Sequence, residues 1–453
     1  MSGHPRIFFD STIPALAEEI AAQLGPEALE RGLIVRDTSG RLLFLSSEMS
    51  PPNEVRVTIE AKLASVLGAY SRADGSIAFS DEPGVQPLLR DPAAFPINHG
   101  SLTLRVLDRR IVGSAWLDVP EEHEAWPPRI VFASLKGGVG RSTAIAVAAS
   151  DLARRNRNVL VIDLDLEAPG LGEMLLDDER LPRFGTVDYL VENGLGGVPD
   201  QSLSDFVGTS GLTTATGGRV DVLPALGRQD VTYPENTLAK LSRAMIEDID
   251  INGITVPVAV QIAEMIRRFT GRDSYDAVLI DSRAGLSELA APAILGLGAT
   301  VLLFGTAQRH TIRGYAALFA ALKLLAQRDR ASGRRAEWRL MFKAVYAKAG
   351  LDDLTAACHR DDLYDLFADN LYEADDAEHP NVDAISFNID DENGPHWPLI
   401  IPFTQNLVDF DPVRAPSHLS TAFYEQAYRP FLNGLDSIIA SAGSAPQNAE
   451  NER

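Results

Sequence analysis

The sequence predicts an α/β fold: a mostly parallel sheet with helices on both faces, preceded by a small α+β N-terminal domain. Three observations carry that expectation. From residue 129 onward, short apolar runs alternate with longer stretches of helical spacing, as parallel strands and their crossovers do. A glycine-rich turn, Lys136-Gly137-Gly138-Val139-Gly140-Arg141-Ser142-Thr143, joins the first of those runs to a helix rich in Ala, Ile and Val. Residues 1–118 lack that alternation and read as short helices and hairpins.

Within 1–118, residues 13–24 have helical spacing, and 32–46 read as a hairpin turning at Thr38-Ser39-Gly40. Residues 55–67 place Val57, Ile59, Leu63 and Leu67 on one helix face. Residues 102–116 read as a second hairpin, turning at Asp108-Arg109-Arg110. His4 and His99 are isolated, which suits structural or surface roles better than ligation. With no catalytic spacing present, this domain is expected to recognise a partner or regulate. The acidic, proline-bounded stretch 119–128 (VPEEHEAWPP) is the expected linker, with Trp126 able to dock it.

From 129 to 439, strands are expected at 129–134, 158–163, 219–224, 276–281, 299–304, 338–345 and 398–402. Helices are expected at 142–155, 185–193, 236–247, 256–270, 286–296, 311–327, 359–370 and 418–439. Residues 225–260 add extra helix and loop. Residues 372–397 form an acidic segment (Glu373, Asp375, Asp376, Glu378, Asp390, Asp391, Glu392), read as a solvated loop or a divalent-metal site. The arginines at 328, 330, 334, 335 and 339 read as a solvated loop or a nucleic-acid patch; the interleaved Asp329 and Glu337 favour the loop. The tail 440–453 is of low complexity and expected to be disordered.

At 453 residues, with 45% hydrophobic and 23% charged side chains, the chain has the composition of a globular protein with a large core. A formal charge of −22 repels nucleic acid and anionic membranes at long range. The single cysteine, Cys358, excludes an internal disulfide and any cysteine-only metal or Fe–S site. No signal peptide or spanning segment is read: the longest apolar stretch, 290–304, is broken by Pro292, Gly296 and Gly298. A cytoplasmic location is expected.

The glycine turn carries the chemistry. Glycines between a strand and a helix let backbone N–H groups face a polyphosphate without Cβ obstruction, and the helix N-terminus adds positive potential. The general phosphate-loop pattern is broken twice, with Leu135 in place of the first glycine and Arg141 in place of lysine. Lys136 directly before Gly137-Gly138, and acidic strand ends downstream, offset those departures. KGGVGRST resembles the deviant Walker A motif of the ParA/MinD ATPase superfamily, and its arginine resembles the KGGVGR-motif variant. VIDLDLEAPGL resembles that superfamily's switch I, residues 275–288 (YDAVLIDSRAGLSE) its Walker B and switch II, and LIIPFTQNL its base-binding turn.

The resemblance, spanning 129–434, implies a P-loop NTPase of SIMIBI type that uses ATP and Mg²⁺. By position, Gly137, Gly138, Val139 and Gly140 would wrap the phosphates, and Thr143 would contact the α-phosphate. Lys136 matches the signature lysine that reaches the nucleotide of a facing subunit. Ser142, Asp163 and Asp281 would serve Mg²⁺. Asp165 matches the carboxylate that orients the attacking water, so Lys136, Asp165 and Asp281 form the implied catalytic set. Gly285 matches the switch II glycine, and Pro402 the base turn. Arg141 either clamps the phosphates as lysine would or fills the site and weakens hydrolysis. Arg283, in place of the usual proline, either makes an ion pair with a nearby carboxylate or enters the phosphate site. Gln308, Arg309 and His310 are candidates for the dimer face; the plain alternative is a helix start capped by Thr311.

The resemblance further implies a homodimer through the nucleotide face, a protein partner engaged through 1–118, and an ATP-driven switch. Its subgroup implies a bacterial antiphage or conflict setting. The alternatives are a nucleotide-bound sensor without turnover and a DNA-partitioning ATPase, which the charge of −22 disfavours. The tail lacks the basic amphipathic helix of membrane-targeted relatives. Adenine against guanine stays open, because MFKAVYAKAG lacks the asparagine expected for adenine.

Overall fold

The computed structural model describes residues 7–122, 126–213, 217–250, 252–373 and 385–442. The chain divides into two compact units, Met1–Leu117 with Ala321–Ala336, and Asp118–Ala320 with Glu337–Arg453. Among the described residues no helix is long and apolar enough to cross a membrane.

The first unit is built on five strands: β1 (Leu33–Arg36), β2 (Leu42–Leu45), β3 (Ile77–Ala78), β4 (Phe95–His99) and β5 (Leu102–Asp108), in the order β3-β2-β1-β5-β4. Helices Phe9–Leu24 and Asn53–Leu67 bury Leu16, Ile20, Leu63 and Leu67 with Phe44 and Phe79. The β1/β2 hairpin forms as expected. The second hairpin does not turn at 108–110. β5 pairs instead with β4, from Phe95↔Val106 to His99↔Leu102, around Gly100 at φ 60°. Ile111 and Val112, which suggested a returning strand, are each 78% exposed.

The arginine cluster is a solvated loop only in part: Arg330, Arg334 and Arg335 are exposed, whereas Arg328 and Arg339 are buried. The helix Arg309–Ala331 runs through Arg328 and Arg330. Arg328 is buried, donates to the Leu117 carbonyl at 2.6 Å and lies over the Phe95 ring. Arg334 pairs with buried Asp329. In the second unit, buried Arg339 donates to the Leu371 carbonyl at 2.8 Å and to Glu373 at 2.7 Å.

The second unit contains β6 (Arg129–Ser134), β7 (Val159–Leu164), β8 (Gly208–Thr209), β9 (Val220–Leu223), β10 (Asp248–Ile249), β11 (Thr255–Val256), β12 (Ala277–Ala284), β13 (Thr300–Gly305), β14 (Phe342–Ala349) and β15 (Leu399–Pro402). Eight of them form one sheet in the order β15-β14-β13-β6-β12-β7-β9-β8. All neighbours are parallel except the short edge pair β8/β9. β6, β7, β12 and β13 are near-continuous apolar runs because both sheet faces are covered. Phe132, Phe304 and Phe431 meet at centroid distances of 5.6, 6.3 and 6.1 Å between β6, β13 and the helix Thr421–Ser441. Asp151, on the helix that follows the glycine turn, accepts from the Tyr424 hydroxyl at 3.1 Å and pairs with Arg155 at 2.7 Å. The glycine turn is thereby tied to the C-terminal helix.

Helix ends differ from expectation where a cap or a proline decides them. The helix expected at 359–370 starts at Asp353, because Asp352 accepts the Thr355 N–H at 3.0 Å. The helix expected at 286–296 shrinks to Ala291–Leu295. Within 225–260 lie the helix Thr237–Ala244 and the β10/β11 hairpin. Lys240 Nζ reaches Asp188 at 2.6 Å and Asp230 at 2.8 Å. The other oxygen of each carboxylate accepts a helix-start N–H, from Gly185 and Gly227 respectively. In the acidic segment, Asp375, Asp376 and Glu378 lie outside the described residues. Its described part is anchored by Lys343, donating to the Gly394 carbonyl at 2.8 Å, and by the Tyr372–His396 hydrogen bond at 2.8 Å. The 440–453 tail lies outside the described residues from 443 on.

Phe431→Ala should cost ~3–5 kcal/mol, since it empties the centre of the aromatic cluster; chemical denaturation reads this directly. His359, packed on Tyr346 at 4.8 Å, is pushed below its ordinary pKa of 6.5 by burial. A depressed pKa gives stability that is present above pH 6.5 and lost on acidification. The drop in melting temperature between about pH 7.5 and pH 5 should therefore be smaller in His359→Gln than in wild type.

Candidate functional site

The site forms where β6, β12 and β7 lie side by side and end on one sheet edge. β6 stops at Ser134, and the chain passes through 135–140 into the helix Arg141–Arg154. Gly138 (φ 74°) and Gly140 (φ 97°) hold left-handed conformations. A Cβ at Gly137, Gly138 or Gly140 would meet nothing within 4 Å, so at Gly138 and Gly140 the need for glycine is conformational, and the inner wall stays open.

The acidic residues follow from register. Asp281 of β12 stands directly beside Asp163 of β7, and the two are 2% and 1% exposed. Asp163 accepts N–H groups of Asp165 (3.0 Å), Gly170 (3.4 Å) and Leu171 (3.2 Å), so it shapes the loop after β7. Ser142 Oγ donates to Asp281 Oδ2 at 2.6 Å. Asp281 Oδ1 is buried without a hydrogen-bond partner. Arg141, 6% exposed, donates through Nη1 to the Ser282 carbonyl and through Nη2 to Asp165 at 3.1 Å. Its Nε stands 3.6 Å from Asp281 Oδ1. Burial, then the charge of Asp281, pushes the Asp163 pKa upward. Burial also raises Asp281, against the pull of Arg141 and Ser142, and raises Asp165 against Arg141.

A cavity of about 340 Å³ opens beside the loop, within the range of ligand pockets. Gly138, Val139, Gly140, Arg141, Ser142, Thr143 and Pro402 all line it, together with Lys348, Phe403 and Tyr428. Lys136 and Gly137 line a second cavity of about 240 Å³, with Gln308, His310 and again Lys348. Asp163, Asp165 and Asp281 do not line the first cavity and connect to it through Arg141 and Ser142. Arg283 pairs with Glu167 of the loop after β7, the ion-pair alternative. Gly285 (φ 97°) donates its N–H to the Ser134 carbonyl at 2.8 Å. The helix at 309 starts one turn earlier than a Thr311 cap requires: Thr311 is buried and its N–H donates to Gln308 at 2.8 Å.

Sequence reasoning passed over Lys348 and Glu167. Lys348 is left-handed (φ 53°) at the register shift between Ala347 and Ala349, where β14 meets β15. Only the Lys-Ala-Gly strand end hints at it. Glu167 sits in the acidic turn that also supplies Asp165, with no spacing to single it out.

The sequence model of the CobQ/CobB/MinD/ParA nucleotide binding domain matches residues 130–391. The chain belongs to this nucleotide-binding family. Within it, the loop assigns the chain to the deviant Walker A, ParA/MinD-type P-loop superfamily. Among solved structures, the MinD cell division protein of Aquifex aeolicus is similar at 19% identity over 71% of this chain and 100% of its own, with a TM-score of 0.38. Cobyrinic acid a,c-diamide synthase of Mycobacterium smegmatis, with bound ATP analogue and magnesium, has 18% identity over 71% and 99%, TM-score 0.39. The ATP complex of a Cyanothece McdA variant has 13% identity over 72% and 100%, TM-score 0.40. No curated protein matches the sequence.

The residues present fit Mg²⁺. Among the described residues no group of three or more His, Cys, Asp or Glu is placed to hold a metal ion unaided. Mg²⁺ needs less, since it is commonly held by one or two protein oxygens plus phosphates and water. Ser142 Oγ and Asp281 Oδ1, which accepts no hydrogen bond, supply that donor set. Gly140→Ala should cost ~1–2 kcal/mol through left-handed strain alone, with no steric clash; thermal denaturation against wild type measures it.

Proposed function

We propose that this chain binds ATP with Mg²⁺ in the cavity beside the loop, hydrolyses it, and acts as a dimeric nucleotide-driven switch for a partner protein. The observation that carries the reading is the joining of a glycine loop, Ser142 and the carboxylates 163, 165 and 281 on one sheet edge next to a ligand-sized cavity. The N–H groups of 137–143 bind the phosphates. Pro402 and Phe403 border the space for the base. Mg²⁺, when bound, neutralises phosphate charge. Ser142 and Asp281 are the residues that hold it.

Asp165 orients a water whose oxygen bonds to the γ-phosphorus while the bond from that phosphorus to the β–γ bridging oxygen breaks. The water's proton passes to the carboxylate or to the departing phosphate, and ADP keeps the electron pair. Exposed Lys136 lies outside this cavity, which suits a reach toward a second copy. Ordering of 165–170 and 283–288 by the γ-phosphate supplies the switch. Residues 1–118 offer the surface for the partner, and the subgroup resemblance supports a setting in bacterial conflict or antiphage defence. A second reading, a nucleotide-bound sensor without turnover, is favoured by one contact: Arg141 engages Asp165, the carboxylate hydrolysis needs. A DNA-partitioning role draws no support from the charge of −22 or from the arginines Arg328 and Arg339, which are buried.

Purified protein should release phosphate from ATP. Asp165→Ala should lower turnover by about 100-fold or more while ATP still binds. Lys136→Ala should lower turnover and abolish ATP-dependent dimerisation on size exclusion. Equal silence of wild type and both variants, with ATP still bound, would select the sensor reading.

A further inference from the structure

Under the loop, the carboxylates of two strand ends are arranged around buried Arg141. Three carboxylates, Asp163, Asp165 and Asp281, gather at the ends of two neighbouring strands. Left alone, buried like charges at this spacing oppose folding. The guanidinium lies between Asp165 and Asp281. Nη2 meets Asp165 at 3.1 Å, Nε faces Asp281 Oδ1 at 3.6 Å, and Nη1 binds the Ser282 carbonyl. A planar fork satisfies these separate directions together; an ammonium, a single point charge, does so less well. The atom that Nε faces is also the one Asp281 oxygen without a hydrogen bond, and the other oxygen is held by Ser142. Both oxygens suited to a divalent ion are thus engaged from within the chain. A second arginine, Arg283, pairs with Glu167 on the same loop.

We propose that Arg141 is the chain's built-in counter-cation for Asp165 and Asp281, and that it excludes a divalent ion until nucleotide phosphates draw the guanidinium away. The inference rests on the nucleotide-binding reading for its trigger, not for its resting state. Arg141 already borders the cavity beside the loop, so a rotation of its side chain brings the guanidinium from the carboxylates to the phosphates. It cannot serve both at once. Phosphate binding, release of Asp165 and admission of Mg²⁺ to Asp281 then become one coupled event. The substitution of arginine for lysine in the loop becomes a device that keeps the resting site closed to metal.

The test uses the full chain, Mg²⁺ alone and no nucleotide. Mg²⁺ binding is measured by isothermal titration for wild type, Arg141→Ala and Arg141→Lys. Arg141→Ala should bind Mg²⁺ about tenfold tighter or more than wild type. Equal binding by wild type and variant, or binding by neither, overturns the proposal. If circular dichroism shows Arg141→Ala unfolded, Arg141→Lys is judged by the same comparison. Binding of ATP with Mg²⁺ to wild type is measured in parallel. Failure there removes the nucleotide reading and leaves the Mg²⁺ comparison to decide the role of Arg141.

Discussion

The register that sets Asp281 beside Asp163 is the constraint on which the rest of the site depends. It follows from β12 inserting between β6 and β7, so that three strand ends with different loops share one edge. The strand ends then contribute different groups: backbone N–H and Ser142 after β6, carboxylates from β7 with its loop and from β12. The cost is negative charge buried in a low-dielectric place, visible in the upward push on all three aspartates. That cost is met by hydrogen bonds to Asp163 from its own loop and by Arg141. The loop after β7 is therefore shaped by the carboxylate of Asp163, which stands beside Asp281.

The parallel sheet was legible because its strands are covered on both faces, and continuous runs such as Val159–Leu164 admit few other readings. What failed to show in the sequence were pieces whose existence depends on distant partners. β8 is two residues long and pairs only with β9. β4 begins at Phe95-Pro96 and gains its place from β5, while Ile111 and Val112 imitate a strand without burying anything. Arginines are the hardest to place by eye. Arg328 and Arg339 look like solvent charge in the chain and are structural donors in the fold, because each finds a backbone carbonyl.

Within the site, motif order singled out residues that the fold brings together at one sheet edge, but not the contacts they make there. Position alone could not decide whether Arg141 faces the cavity or the carboxylates, since one long side chain borders both. Nor could it assign Arg283, whose partner Glu167 is more than a hundred residues away in sequence. Lys348 escaped because its signature is a backbone conformation at a register shift, not a spacing.

Elsewhere in the second unit, the ammonium of Lys240 joins two carboxylates that each anchor the start of a different helix. One monovalent charge thus serves as a shared fastening for the segments that begin at Thr186 and Arg228. Any chemistry that neutralised that nitrogen, acylation for instance, would turn Asp188 and Asp230 from a clasp into a repelling pair. The two helix starts would loosen together, and damage at one solvent-edge side chain would spread to both.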